Sequence, residues 1–242
     1  MLIVSPHLDD AVLSCGALLS ANPGCQVITV FAGTPADTGQ ATDWDRRCGF
    51  DSAGEAMAIR RREDEKALGI LGAYPVWLDF LDSQYGGTAD LNEVSRKLCR
   101  AIDARRATAK SVPVLLPLGL FHSDHSLAHD AGRAALATLF PATPHAATLR
   151  WFAYEDSPYR GNKGVLQRRL AELASAGVVA TPWDPATLSG VRSGEGVKLD
   201  AKRAALAAYA SQLRGFGEGG YEDAWRPERF WTLECDWVAT HD

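Results

Sequence analysis

The residues able to do chemistry gather in two short segments. One is Ser5-Pro6-His7-Leu8-Asp9-Asp10, and the other runs from Phe121 through His122, Ser123, Asp124, His125 and Ser126 to His129. Together they hold four of the six histidines, whereas His145 and His241 have no acidic partner at a suggestive spacing. Imidazole nitrogen and carboxylate oxygen are ordinary ligands of zinc and of other divalent transition metals. A catalytic zinc takes three protein ligands and leaves one position for water. One His and one Asp from the first segment, with one His from the second, would make such a set. Each segment alone has a plainer reading. Asp9 or Asp10 would cap a helix beside a loop histidine, and Ser123 or Asp124 would cap another with His129 on its face. Adjacent carboxylates repel unless a cation or a helix N-terminus offsets them, and two such clusters favour a metal. His125 and His129 have the i,i+4 spacing of H-E-x-x-H. Ser126 stands where that motif needs Glu, so His129 is read as structural or supporting and a metalloprotease is not indicated.

The elements that must position these segments read as alternating strands and helices. Leu2–Val4, Gln26–Ala32, Pro75–Phe80, Val112–Leu118 and Leu149–Tyr154 are short, nearly continuous apolar runs. Helical spacing follows Asp9-Asp10 and recurs over Glu55–Leu71, Asn92–Arg106 and Ser126–Leu139. Continuous strands separated by helices predict an α/β fold: a Rossmann-like, doubly wound, mostly parallel sheet with helices on both faces. Both His/Asp segments directly follow a strand, which puts them at the carboxyl edge where such sheets bind ligands. The last third is less regular, with helices near Leu166–Ala174 and Val197–Gln212 and a final strand near Phe230–Cys235. Pro35–Asp51 is a long polar connection without sustained period, of the kind that is often functional.

Composition narrows the class. The chain has 242 residues, 46% hydrophobic and 23% charged, as a globular domain should. No long linker or repeat appears, so residues 1–242 are read as one domain. With 25 basic and 30 acidic residues the net charge is −5, which argues against a nucleic-acid surface. No apolar run is long enough for a membrane span. The five cysteines lack C-x-x-C spacing and read as free thiols of a reducing, cytoplasmic compartment. The turn after Val4 is SPHLDD rather than G-x-G-x-x-G, and its acidic pair would repel phosphate, so a nucleotide-binding site is not expected.

SPHLDD followed much later by HSDH resembles the LmbE-like or PIG-L family of zinc-dependent N-acetylglucosaminyl deacetylases, whose pattern is [AP]-H-x-D-D and then H-x-D-H. Weaker agreements run in the same order. They are the Arg60-to-Asp64 stretch with Ala67 and Leu71-Gly72, the Leu81–Tyr85 segment, Tyr154-Glu155-Asp156-Ser157-Pro158-Tyr159, and Lys202 with Ala205, Tyr209 and Ser211-Gln212. Two positions depart from the common pattern: Ala11 replaces a frequent Glu, and Ser123 a frequent Pro.

The resemblance implies a fold, a reaction and roles. His7, Asp10 and His125 would ligate Zn2+ or another divalent transition metal. Asp9 would be the general base, and His122 would stabilise the oxyanion or protonate the leaving amine. Asp124 would orient an imidazole, as carboxylates commonly do behind metal-bound histidines. Arg60, and more weakly Asp82, would contact substrate, against the plainer reading of Arg60 as a solvated helix-face residue or as the ion-pair partner of Glu63 or Asp64. Trp44, Tyr85, Trp225 and Trp231 are read as packing residues. The implied partner is a small-molecule amino-sugar conjugate that loses its N-acetyl group as acetate. The rivals are a zinc amidase acting on a non-sugar amide and a non-catalytic carbohydrate-binding module.

Overall fold

In chain order the elements are β1 (Leu2–Ser5), α1 (Asp10–Ala21), β2 (Gln26–Thr29), α2 (Asp43–Cys48), α3 (Ala53–Ile70), β3 (Tyr74–Trp77), α4 (Leu91–Arg106), β4 (Val114–Pro117) and α5 (Ser123–Leu139). They continue with β5 (Thr148–Tyr154), α6 (Val165–Ser175), β6 (Val178–Trp183), α7 (Leu199–Ala208), α8 (Ala210–Phe216) and β7 (Phe230–Asp236). The structure, a computed structural model, describes residues 1–107, 112–140, 148–188, 191–192 and 199–236. His145, His241 and the predicted start of a helix at Val197 lie outside the described residues.

The seven strands form one sheet in the order β3-β2-β1-β4-β5-β7-β6. The first five are mutually parallel, and β7 runs antiparallel to both β5 and β6. This is the predicted Rossmann-like, mostly parallel α/β sheet. Alternation along β1 shows why its sequence is apolar throughout. Leu2 and Val4 pack under α4, α5 and α6, while Ile3 packs with α1, α3 and α7. Strand order reverses between β1 and β4, so the crevice beyond their carboxyl ends is the topological switch point.

Local signals set several boundaries. Ser52 caps α3 by accepting from Glu55 N, and Gly72, at φ +68°, turns the chain out of it. The structure corrects three expectations. The 35–51 connection contains α2, whose N-cap Thr42 forms a reciprocal capping box with Asp45. The predicted Val197–Gln212 helix breaks at Tyr209 into α7 and α8. Strand β6 has no counterpart in the sequence pattern. It lies at the sheet edge, mostly exposed and carrying Pro182, so it has no buried apolar run to announce it.

Helix α1 is kinked at Cys15, whose φ of −134° is non-helical. The kink frees backbone groups that two distant residues satisfy. Glu228 accepts from Ala17 N and Leu18 N at 2.7 and 3.0 Å, and Lys202 Nζ donates to Leu13 O and to Glu228. Gly16 leaves the room that the Lys202 stem occupies, since a Cβ there would lie 2.8 Å from Lys202 Cγ.

Candidate metal centre and active-site pocket

The turn after β1 is tied by Ser5, which donates to His7 O at 2.7 Å and accepts from Ala11 N at 3.0 Å. Asp9 occupies the N-cap position of α1, but its side chain makes no capping bond. The capping explanation of the acidic pair therefore fails, and the Asp9 carboxylate is left facing the pocket. Asp10 instead accepts from His7 N at 2.9 Å, which aims its Oδ2 back over the turn.

Two imidazoles converge on that oxygen. His7 Nδ1 lies 3.1 Å from Asp10 Oδ2, and His125 Nε2 lies 3.2 Å from it. The other nitrogen of each ring is held by a second carboxylate. His7 Nε2 is 3.0 Å from Asp124 Oδ2, and His125 Nδ1 is 2.6 Å from Asp156 Oδ1. With a proton on each outer nitrogen, each inner lone pair would face an anionic oxygen. Lone pairs at such distances repel unless a proton or a cation lies among them. His125 Nε2 is buried and has no hydrogen-bond partner. The ligand atoms of His7, Asp10 and His125 lie within 4.8 Å of one another. Carboxylate–histidine pairs around a shared centre are how proteins build metal sites. His7, His122 and Asp124 form a second possible group. Its contacts are already hydrogen bonds, with His7 on Asp124 Oδ2 and Asp124 N donating to His122 Nδ1 at 3.2 Å.

The electrostatics follow from burial against neighbours. Burial opposes charge on His125, but Asp10 and Asp156 outweigh it and raise its pKa to about 9. Burial opposes charge on His7 as well, and Asp82, Asp10 and Asp124 raise it well above 6.5. Asp10, though buried, is held well below the usual carboxylate range by His125 and His7. Asp9 moves the other way: burial and then the Asp10 charge raise it to about 7, against Arg60 and His7. The cluster, without an ion, is thus drawing protons into the place a cation would take.

The remaining predicted residues are brought to the same pocket, a cleft of about 330 Å³ lined by Asp9, Arg60, Asp82, His122, Tyr159 and Trp44 among others. His122 is the N-cap of α5, in place of the expected Ser123 or Asp124. It is presented by a three-residue turn. His122 N donates to Leu120 O at 2.7 Å across Phe121, whose φ of +64° is the left-handed value that a bulky side chain disfavours. Burial, with His7 next, lowers the His122 pKa. Arg60 is only 3% exposed, so the solvated-face reading is corrected. Its partner is Asp82, at 3.7 Å, rather than Glu63 or Asp64, and its Nε and Nη1 have no hydrogen-bond partner. Glu63 binds Ser211 and Asp64 binds Trp77 and Tyr209 instead. Asp82 accepts from Gln84 N and Nε2 and lies 3.8 Å from His7 Nε2.

His129 stands apart. Its Nδ1 donates to Pro117 O at 2.7 Å, and it faces no carboxylate of the cluster. Sequence reasoning gave no role to Asp156, which accepts from Gly119 N and Leu120 N while holding His125. Its signal was present in the YEDSPY stretch, but a charge that only orients another group has no spacing rule. Trp44, a packing residue by its sequence context, lines the pocket.

Comparison with known proteins agrees with this geometry. The family described as PIG-L: GlcNAc-PI de-N-acetylase matches residues 2–136, and the chain belongs to that family. It is 31% identical over 208 residues to a 2'-N-acetylparomamine deacetylase of Streptomyces fradiae, covering 78% of this chain and 67% of that one. It is 26% identical over 282 aligned positions to an enzyme of the same name from Niallia circulans, covering 98% of this chain and 92% of that one. Among solved structures, a triple mutant of a deacetylase from the teicoplanin biosynthetic pathway superposes with a TM-score of 0.68 at 25% identity, covering 96% of both chains. No helix among the described residues is long and apolar enough to cross a membrane.

Proposed function

We propose that the protein is a zinc-dependent hydrolase that removes the N-acetyl group from an N-acetylglucosamine-type amino sugar or its conjugate. The observation that carries this reading is the convergence of His7 Nδ1 and His125 Nε2 on Asp10 Oδ2, each ring backed by its own carboxylate. The deacetylase activity of the relatives supports the reaction type.

His7 through Nδ1, His125 through Nε2 and Asp10 would hold the ion. A divalent cation there supplies Lewis acidity for the amide carbonyl and lowers the pKa of a water from 15.7 to about 7. Iron or cobalt suits the same donors. Asp9, which makes no capping bond, accepts the proton of the attacking water as the new C–O bond forms. His122 accepts at Nδ1 from Asp124 N, so its neutral ring carries the proton on Nε2 and donates to the developing oxyanion. The proton taken up by Asp9 is then passed to the sugar nitrogen, and the C–N bond breaks to amine and acetate. Arg60 and Asp82 supply substrate contacts from the pocket floor, and Asp124 and Asp156 keep the imidazoles in the right tautomer. The presence of every one of these groups speaks against a binding module that has lost turnover. Four free thiols among the described residues support a reducing, cytoplasmic location.

Acetate release from a panel of N-acetylglucosamine conjugates tests the reading. The purified protein should carry about one divalent ion and lose activity on chelation. Asp9→Asn should keep the metal and lose roughly 10²–10⁴-fold in kcat. Hydrolysis by metal-free protein, or near-normal turnover by Asp9→Asn, would overturn it.

A further inference from the structure

Among the described residues, the His122 imidazole has one hydrogen bond, accepted at Nδ1 from Asp124 N at 3.2 Å. One bond at one atom fixes a point, and the ring can still tilt about it. Packing is what limits the tilt. The Tyr159 ring lies nearly parallel to His122, at 6.0 Å and 19°, and edge-on to His125, at 4.9 Å and 82°. Both separations fall in the range where aromatic pairs attract. Tyr159 is itself anchored. Its N donates to Asp156 O at 3.0 Å, its O accepts from Asn162 N at 3.0 Å, and its side chain is partly buried against the core on the α4, α5 and α6 side of the sheet. The turn that begins with Asp156, behind His125, thus also delivers the ring that faces His122.

A second ring braces Tyr159 from outside. Phe121 packs on it at 5.5 Å and 36°. Among the described residues no other non-glycine residue sits in the left-handed region, and the Phe121 side chain is 69% exposed, so burial does little to offset the strain. Backbone strain beside a catalytic group, with no core to require it, points to a use. Glycine would take this turn without strain but would leave Tyr159 unbraced. The rings of Phe121, Tyr159 and His122 form a row from solvent to the pocket wall, which Tyr159 and His122 line.

We infer that Tyr159 is a positioning residue that holds the His122 ring with its Nε2 toward the developing oxyanion, and that Phe121 keeps its strained turn because its ring braces Tyr159. The inference rests on the N-deacetylase reading and extends it to two residues that act through His122. The contacts of Tyr159 with both imidazoles are made by its ring, so the ring rather than the hydroxyl is the operative part. Catalytic groups work only when packing locks their rotamers. Displacing one by about 1 Å can cost roughly 10²-fold, and losing an oxyanion donor outright costs about 10²–10³-fold. A loosened His122 should therefore fall short of a deleted one.

The test measures kcat, KM and bound zinc for wild type, Tyr159→Leu, Tyr159→Phe and Phe121→Gly, each also in a His122→Ala background. The substrate is the fastest of a panel that includes N-acetylglucosamine and 2'-N-acetylparomamine. Tyr159→Leu should lose about tenfold or more in kcat, with KM and zinc content within about twofold of wild type. Tyr159→Phe should recover most of that loss. Phe121→Gly should lose about threefold in kcat although its backbone is relaxed. In the His122→Ala background neither Tyr159→Leu nor Phe121→Gly should cost anything further. Equal losses in both backgrounds would show that the two residues do not act through His122. A Tyr159→Phe as slow as Tyr159→Leu would move the role to the hydroxyl, and loss of zinc from Tyr159→Leu would move it to His125. Full kcat in Tyr159→Leu or in Phe121→Gly would leave that ring without a role. Each of these results overturns the inference. Wild-type protein that releases no acetate from any substrate would instead refute the deacetylase reading. Carbon relaxation of the labelled His122 ring in zinc-loaded protein then still decides the positioning. Its order parameter should fall in Tyr159→Leu and return in Tyr159→Phe, and an unchanged value would overturn the inference.

Discussion

Two histidines one turn apart on α5 behave in opposite ways. His125 and His129 are both fully buried, and both use Nδ1 for a hydrogen bond. His125 faces Asp10 and Asp156 and is raised to about 9. His129 binds a backbone carbonyl, has Arg169 and Arg133 as its charged neighbours, and is lowered by burial and by them to about 3. The first turn of the helix is a place that attracts a cation; the second is a place that rejects one. Residue type and burial are the same, so the difference comes from the sign of the surrounding charge.

The largest effect should come from exchanging these histidines one at a time. His125→Asn should strip the protein of its ion and of activity, whereas His129→Gln should retain both; metal analysis of the purified variants decides, and the reverse pattern would mean the wrong turn was chosen. Asp156→Asn should come next. It removes the charge behind His125 while leaving every proposed ligand in place, and should weaken metal affinity about 10- to 100-fold in a competition titration.

The same contrast has a pH signature in metal-free protein. His125, with a raised folded pKa, adds stability that is fully present below about 6.5 and is lost as pH rises through about 9. His129, with a depressed one, adds stability that is present above about 6.5 and is lost as pH falls toward about 3. Each contribution is on the order of 3–5 kcal/mol. Denaturant unfolding across pH should show His129→Gln flattening the acid limb and His125→Asn flattening the alkaline limb; parallel curves for the two variants would erase the distinction. The smallest effect concerns the turn ahead of both residues. Phe121→Gly should relieve the left-handed backbone and raise stability by about 1 kcal/mol. A lowered melting temperature would show that the exposed Phe121 ring holds the turn together.

Much of this could be read from the chain alone. Apolar runs separated by helical spacing define the parallel sheet because strands buried on both faces have no polar positions. The placement of SPHLDD and HSDH just after β1 and β4 puts them at one sheet edge, since parallel strands end on the same side. The capping alternatives failed for a reason the sequence does not contain: whether Asp9 caps a helix depends on where its carboxylate points. Edge strand β6, the break at Tyr209 and the burial of Arg60 depend on neighbours far away in the chain.

What the amino-acid order determined is thus the set of donors and the layer architecture, because both follow from local residue type and period. What only the folded molecule decided is the division of labour within that set. Asp156 lies 31 residues from His125 and Trp44 168 residues from Gln212, and no local pattern encodes such meetings. Charge and contact act through space, so an imidazole becomes a ligand or a packing group only once its neighbours have arrived.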